Sequence, residues 1–225
     1  MGRGFFVTGT DTGVGKTLVA CALLAAFART GKSVVGMKPV AAGSEAGCWA
    51  DVEALAQAST VSASPQIVNP YAFEPAIAPH IAAELAGVEI DLERIVRAYA
   101  ELSRLAEVVV VEGAGGFLVP LNANQTGADL AMRLGLPIVL VVGMRLGCLN
   151  HALLTQRQIE ASRLRCAGWV ANCIDPGMSH VDGNVRALER RLDCPLLGVV
   201  PFRQDPSEAQ VSLLLSLPPL LEATA

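Results

Sequence analysis

Short apolar runs rich in valine recur along this chain, separated by stretches in which apolar and polar residues mix at helical spacing. The first run, residues 5–8, ends at Gly9, and residues 17–29 follow as an apolar helix that closes at Gly31. Residues 33–38 read as a second strand, stopped by Pro39. Three further β-branched runs lie at 108–111, 137–142 and 167–171, with a sixth at 196–200. Between them, residues 91–106, 148–162 and 181–192 carry helical patterns. Asp91 stands where an N-cap belongs, with Arg94 and Arg97 on a solvent face. Strands alternating with helices call for right-handed crossovers, and so predict an α/β fold with a mostly parallel central sheet flanked by helices. Residues 41–69 are the least regular, rich in Gly, Ser and Ala, and predict a short helix at 52–58 among loops. No repeat, low-complexity tract or interdomain linker interrupts the pattern, so residues 1–225 read as one domain.

Composition agrees with this picture. Apolar residues make up 52% of the chain and aromatic ones 4%, so the core must be built from Ala, Val, Leu and Ile. The net charge of −4 argues against general affinity for nucleic acid or for anionic membranes. Residues 18–28 loosely imitate a signal peptide, but a strand and a glycine-rich turn precede them. No apolar run approaches the roughly 18 residues that would span a bilayer, and Gly2 lacks the downstream hydroxyl of a myristoylation signal. The six cysteines form no C-x-x-C pair and read as reduced thiols, with no clustered zinc ligands. Together these features place the chain in the cytoplasm.

The sharpest chemistry lies in Gly9-Thr10-Asp11-Thr12-Gly13-Val14-Gly15-Lys16-Thr17, between the first strand and the first helix. Its glycines let the backbone curl so that successive N–H groups point at a polyphosphate, and the helix N-terminus adds its dipole. Lys16 suits the β- and γ-phosphates, and the Thr17 hydroxyl suits Mg²⁺. The generic motif has four residues between its outer glycines, whereas five separate Gly9 from Gly15.

Glu112 closes the valine run at 108–111 and leads into Gly113-Ala114-Gly115-Gly116. Ligands gather at the carboxyl ends of parallel strands, so an acid there faces the phosphate loop and can hold Mg²⁺. Lys38, at the end of the second strand, is placed to offset developing anionic charge. Asp11 and Asp51 are further acids for a metal shell. Asn172 and Pro201 end strands on the same rim, where Asn172 reads either as a partner for an adenine edge or as a turn residue.

With these motifs placed, the chain resembles the dethiobiotin synthetase family. The resemblance rests on F-V-T-G-T-D-T-G-V-G-K-T at 6–17, G-M-K-P-V-A-A-G-S-E at 36–45, N-P-Y-A-F at 69–73 and A-P-H-I at 78–81. It continues through V-E-G-A-G-G at 111–116, V-V-G-M-R-L-G-C-L-N-H-A at 141–152 and A-G-W-V-A-N at 167–172. The family's phosphate loop also has the five-residue spacing. The resemblance implies a P-loop NTPase fold and a reaction in which ATP and CO₂ convert 7,8-diaminononanoate to dethiobiotin through a carbamate and its phosphoric anhydride. It implies catalytic Lys16 and Lys38, and Mg²⁺ held by Thr17, Asp51 and Glu112. ATP contacts are implied at Gly13, Val14, Gly15, Lys16, Thr17, Glu112, Gly113, Ala114 and Gly115, with Asn172, Pro201, Phe202 and Arg203 around adenine. Substrate contacts are implied at Thr12, Lys38, Ala42, Leu146, Gly147, Cys148 and Asn150. The last four would grip the substrate carboxylate across the interface of a homodimer, Asn150 as an N-cap or ligand. Two positions depart from the family pattern: Ala42 stands where Ser or Thr is usual, leaving that hydrogen bond to Ser44 or water, and Gly13 stands where some relatives have Glu.

The main rival is a partition or septum-positioning ATPase switch of the same fold class. Such proteins carry an extra lysine early in the phosphate loop, and none lies between Gly9 and Lys16. They also favour a basic surface or a membrane-targeting helix, whereas residues 212–225 are apolar with no basic residue. A corrinoid amide synthetase would need an appended glutaminase domain, for which the length leaves no room.

Overall fold

The computed structural model describes residues 2–204, 206–217 and 219–220. Strand β1 (Arg3–Gly9) leads into helix α1 (Lys16–Ala28) and then β2 (Val34–Met37). The short β3 (Val40–Ala42), α2 (Ala50–Ala58), α3 (Pro65–Val68), β4 (Tyr71–Phe73) and α4 (Pro79–Leu85) follow. The chain continues as α5 (Leu92–Leu105), β5 (Val108–Glu112), α6 (Gly127–Leu134), β6 (Ile138–Met144) and α7 (Cys148–Ala161). It closes with β7 (Cys166–Cys173), α8 (Val181–Glu189), β8 (Leu196–Val200) and α9 (Glu208–Ser212).

Six strands form one sheet in the order β2-β5-β1-β6-β7-β8, and every pairing is parallel. Each central strand is buried on both faces because its residues alternate between two apolar layers. Phe5 and Val7 join Val108, Val110, Val139 and Val141 beneath α1, while Phe6 joins Val109, Val111, Leu140 and Val142 on the opposite face. The valine runs therefore reflect burial on both sides rather than simple alternation. Helix α5 shows the expected amphipathic pattern, burying Leu92, Ile95, Ala98 and Leu102. Asp91 caps it by accepting the Glu93 N–H at 2.8 Å, and Arg94 on its outer side lies over the Tyr71 ring.

The irregular reading of residues 41–69 needs correction. The helix predicted at 52–58 is present as α2, but α3 and most of β3 also fall in the segment, and β3 pairs in parallel with β4 as a second, two-stranded sheet. Helices α4 and α6 are also additional to the sequence reading, and the helix predicted at 181–192 ends at Glu189. These elements are short, and α3 and α4 each start on a proline that supplies the first-turn geometry without needing an N–H partner.

The apolar tail has a packing role. Val211, Leu215 and Leu220 are buried in the same layer as Val19, Leu23 and Phe27 of α1, and Ser216 N–H donates to the Leu197 carbonyl at 2.8 Å. The tail passes so close to β8 that a Cβ on Gly198 would sit 2.3 Å from the Leu214 carbonyl oxygen. Gly198→Ala is therefore expected to displace the tail and cost about 1–3 kcal/mol. Urea denaturation would show this as a lower midpoint, and an unchanged midpoint would refute the tight contact.

Candidate active site

The sheet order explains the site. Strand β5 lies between β2 and β1, with Met37 opposite Val111 and Val7 opposite Glu112. Lys38, Glu112 and the phosphate loop thus leave three adjacent strands at one rim, as expected for a parallel sheet. The Glu112 Oε1 accepts the Thr17 hydroxyl at 2.8 Å and the Lys38 ammonium at 2.7 Å. Lys38 also pairs with Asp51 at 2.7 Å, so the predicted Thr17, Lys38, Asp51 and Glu112 form one contiguous cluster. Asp51 reaches it from the first turn of α2, the helix whose start lies two residues before the predicted one.

Burial sharpens the chemistry. Glu112 is 1% exposed and Lys38 5%. Burial alone disfavours the Lys38 ammonium, but the carboxylates of Glu112 and Asp51 outweigh it and hold its pKa above the ordinary lysine value. Lys16 goes the other way: burial, then the nearby Lys38 charge, lowers its pKa to about 8, against partial opposition from Glu112 and Asp11. The two lysines are therefore electrically distinct, Lys38 held firmly as a cation and Lys16 brought to where it begins to lose its proton just above neutral pH.

The phosphate loop is wound as its glycines require. Gly15 has φ 87 at the start of α1, and a Cβ there would sit 2.2 Å from the Asn172 amide nitrogen. Two constraints thus hold that position as glycine. Asn172 is buried and donates to the Val14 carbonyl at 2.8 Å. Its amide braces the loop in this structure.

A cleft of about 710 Å³ opens above this cluster. Of the predicted residues it is lined by Thr12, Gly13, Gly15, Lys16, Thr17, Lys38, Ala42, Asp51, Glu112, Ala114 and Gly115. Val14 is buried beneath the loop, and Gly113, Asn172, Pro201, Phe202 and Arg203 lie outside that lining. Phe202 is exposed, and Arg203 donates to Gln210 at 2.7 Å. Leu146, Gly147, Cys148 and Asn150 also lie outside the cleft. The N-cap of α7 is Gly147, not Asn150, because Gly147 has φ 93 and Asn150 already lies inside the helix. Cys148 is buried and its N–H donates to Arg145 at 3.0 Å, whereas Leu146 is 96% exposed.

Sequence reasoning missed the far wall of the cleft, formed by Val40, Ala76, Ile77, Ala78, Pro79 and Val119. The A-P-H-I motif was its visible signal. It also passed over Arg145, whose side chain reaches Asp11 of the phosphate loop.

The residues fit a hard cation. The Glu112 Oε2 is buried without a hydrogen-bond partner, an atom that would otherwise be costly to leave there. Among the described residues no three His, Cys, Asp or Glu side chains form a metal cluster. A cation would rest on two carboxylates, one hydroxyl and ligand oxygens, the sparse donor set that Mg²⁺ favours.

The sheet, loop and rim define a P-loop nucleotide-binding domain, and a family model described as AAA domain matches residues 3–210. The fold is similar to the septum site-determining protein MinD of Pyrococcus horikoshii in complex with Mg-ADP, at 16% identity and a TM-score of 0.58 over 95% of this chain and 93% of that one. It is also similar to the signal recognition particle receptor FtsY of Elizabethkingia anophelis in complex with GDP, at 17% identity and a TM-score of 0.53 over 94% and 62% of the two chains. In sequence the chain is 61% identical to the ATP-dependent dethiobiotin synthetase BioD of Nitrosospira multiformis, over 96% of each. It is 54% identical to the protein of the same name from Aromatoleum aromaticum, over 96% of this chain and 98% of the relative. The chain belongs to the dethiobiotin synthetase family.

Because Lys16 titrates near 8, an arriving polyphosphate should raise its pKa and draw in protons between pH 8 and 9. Calorimetric titration with ADP in buffers of different ionisation heat should show this uptake, and Lys16→Arg should abolish it. Linkage gives the matching sign for stability: the unfolded lysine, near 10.5, holds more protons than the folded one across about pH 8 to 10.5, so this burial cost is relieved as pH rises through that window.

Proposed function

We propose that this chain is an ATP-dependent dethiobiotin synthetase, closing the ureido ring of dethiobiotin from 7,8-diaminononanoate, CO₂ and ATP with release of ADP and phosphate. The single observation that carries the reading from fold to chemistry is the buried Lys38–Glu112–Thr17 cluster beside the phosphate loop, in a chain of this family. One amine of the diamine adds to CO₂ and loses a proton, giving a carbamate. A carbamate oxygen then attacks the γ-phosphorus and ADP leaves. The second amine attacks the carbonyl carbon, phosphate leaves, and the five-membered ring is closed.

The middle step brings two anions together, and its barrier is largely electrostatic. Lys38 and Lys16 both bring positive charge to the rim, and a bound polyphosphate would strengthen the hold of Lys16 on its proton. Thr17, Asp51 and Glu112 would hold Mg²⁺, which supplies neutralisation of the phosphate oxygens. In the free protein the Lys38 ammonium bridges both of those carboxylates, keeping the acids close without a metal. The apolar wall at Val40, Ile77 and Val119 suits an alkyl chain.

Ala42 lines the cleft with no hydroxyl to offer, so in this reading Ser44 or water supplies the hydrogen bond that Ser or Thr gives elsewhere in the family. The exposed Leu146 and Leu154 flank the amino half of α7, and support a homodimer in which 146–150 reaches the partner's substrate carboxylate. One domain over 1–225 carries the reaction, in the cytoplasm. No helix among the described residues is long and apolar enough to cross a membrane. Neither nucleic acid nor a membrane is a partner in this reading.

Purified protein given Mg-ATP, bicarbonate and 7,8-diaminononanoate should yield dethiobiotin and ADP in equal amounts, lose turnover in EDTA, and show twice the 23.4 kDa chain mass in light scattering. ADP release indifferent to the diamine would instead favour a nucleotide switch. Lys38→Met is expected to lower kcat by about 10²–10³ while Mg-ATP affinity changes far less. An unchanged kcat in that variant would remove Lys38 from the phosphoryl-transfer step.

A further inference from the structure

Asp11 is bound three ways, and the reaction above gives it no part. Its Oδ1 accepts the Thr12 N–H at 2.8 Å, and its backbone carbonyl accepts the Lys16 ammonium at 2.9 Å. Its Oδ2 accepts the guanidinium of Arg145, which follows directly on β6. The backbones beneath are already joined, since β1 pairs with β6 as far as Gly9 and Val141, and Thr10 N–H donates to the Val141 carbonyl at 3.0 Å. The Arg145–Asp11 contact continues that pairing past the end of the sheet. Arg145 also accepts the Cys148 N–H, so one residue touches both the phosphate loop and the first turn of α7.

The pair is 41% and 47% exposed, and so contributes little to global stability. Its effect is local. A phosphate loop works by presenting several N–H groups in one fixed curl, and Thr12 and Gly13 lie at its most open point, where a Cβ on Gly13 would meet nothing within 4 Å. A carboxylate beside a polyanion site would also repel its ligand unless a cation held it turned aside.

We propose that Arg145 is a positioning residue for nucleotide binding, acting through Asp11 to hold the phosphate loop in its binding shape and to tie that loop to the start of α7. The inference rests on reading residues 9–17 as a nucleotide loop, but not on the ring-closing chemistry. It differs from two simpler accounts, in sign from one and in metal dependence from the other. If Asp11 merely repelled nucleotide, removing it would tighten binding. If Asp11 were a metal ligand, removing it would matter only with Mg²⁺ present.

The test is equilibrium binding of ADP in EDTA to the full chain, its Arg145→Met and Asp11→Ala variants, and the double variant. Each single change should weaken ADP by about three- to fivefold, the size a solvent-screened pair permits, and the double should be no weaker than the worse single. Arg145→Lys should recover most of the affinity. In turnover, Arg145→Met should raise the KM for ATP and leave kcat at saturating ATP unchanged. Tighter ADP binding by Asp11→Ala, additive losses in the double, or an unaffected Arg145→Met would each overturn the proposal. Should Asp11→Ala fail to fold, the Met and Lys variants of Arg145 decide the matter alone. Failure of the unaltered chain to bind ADP would overturn the loop reading and this proposal together, whereas normal binding without ring product would remove only the ring-closing reading.

Discussion

A lysine ammonium held between two carboxylates beneath the phosphate loop is the constraint on which this rim is built. Lys38 pairs with Glu112 and Asp51 at 2.7 Å each, with Lys38 and Glu112 almost fully buried. Such a cluster forms only if the groups arrive together, because any one of them buried alone would carry a desolvation cost that nothing offsets. Arrival together is a matter of topology. Inserting β5 between β2 and β1 sets the ends of all three side by side, and α2 then swings Asp51 over the gap. The small β3–β4 sheet and α4 close the other side of the cleft. The parts of the fold least regular in sequence are thus the ones that give the rim its walls.

Legibility followed the length of each signal. The phosphate loop, the valine strands and α5 are written in patterns that local chemistry enforces, and their positions agree with the structure to within a few residues. Asp51 was harder to place, because its function depends on a helix start that Ala50 marks only weakly. Helix α6 did carry a signal, since Thr126 N–H donates to Asp129 at 2.7 Å in the manner of a capping box. The helix is only eight residues long, so its apolar pattern is too short to stand out beside that cue. Asn172 could not be resolved from sequence at all. Whether a strand-end amide faces a ligand or a loop carbonyl depends on register across the β6–β7 pairing, and here it faces Val14.

The fold by itself leaves the activity open. MinD and FtsY share the architecture at 16% and 17% identity, so the same sheet serves proteins with quite different names. What separates this chain is local: a loop with five residues between Gly9 and Gly15, no lysine before Lys16, and a buried lysine after β2. A switch needs a nucleotide state that another surface can sense. A synthetase needs a closed, charged space in which an acyl phosphate forms out of reach of water. The cleft bounded by Lys38, Ala42, Ile77 and Val119 supplies the charge and an apolar wall for the second task.

The contrast between the two lysines completes the argument. Burial and mutual repulsion weigh on both ammonium groups, and the carboxylates around them offset that cost unequally. Lys38 stays charged because two carboxylates hold it, whereas burial first and then the Lys38 charge depress Lys16. Lys16 waits against the Asp11 carbonyl, a neutral acceptor that it can leave without stranding an ion. A polyphosphate beside Lys16 would favour its charged form and so raise that lowered pKa. In a chain of net charge −4, two buried lysines place cationic character at one pocket without making the surface basic.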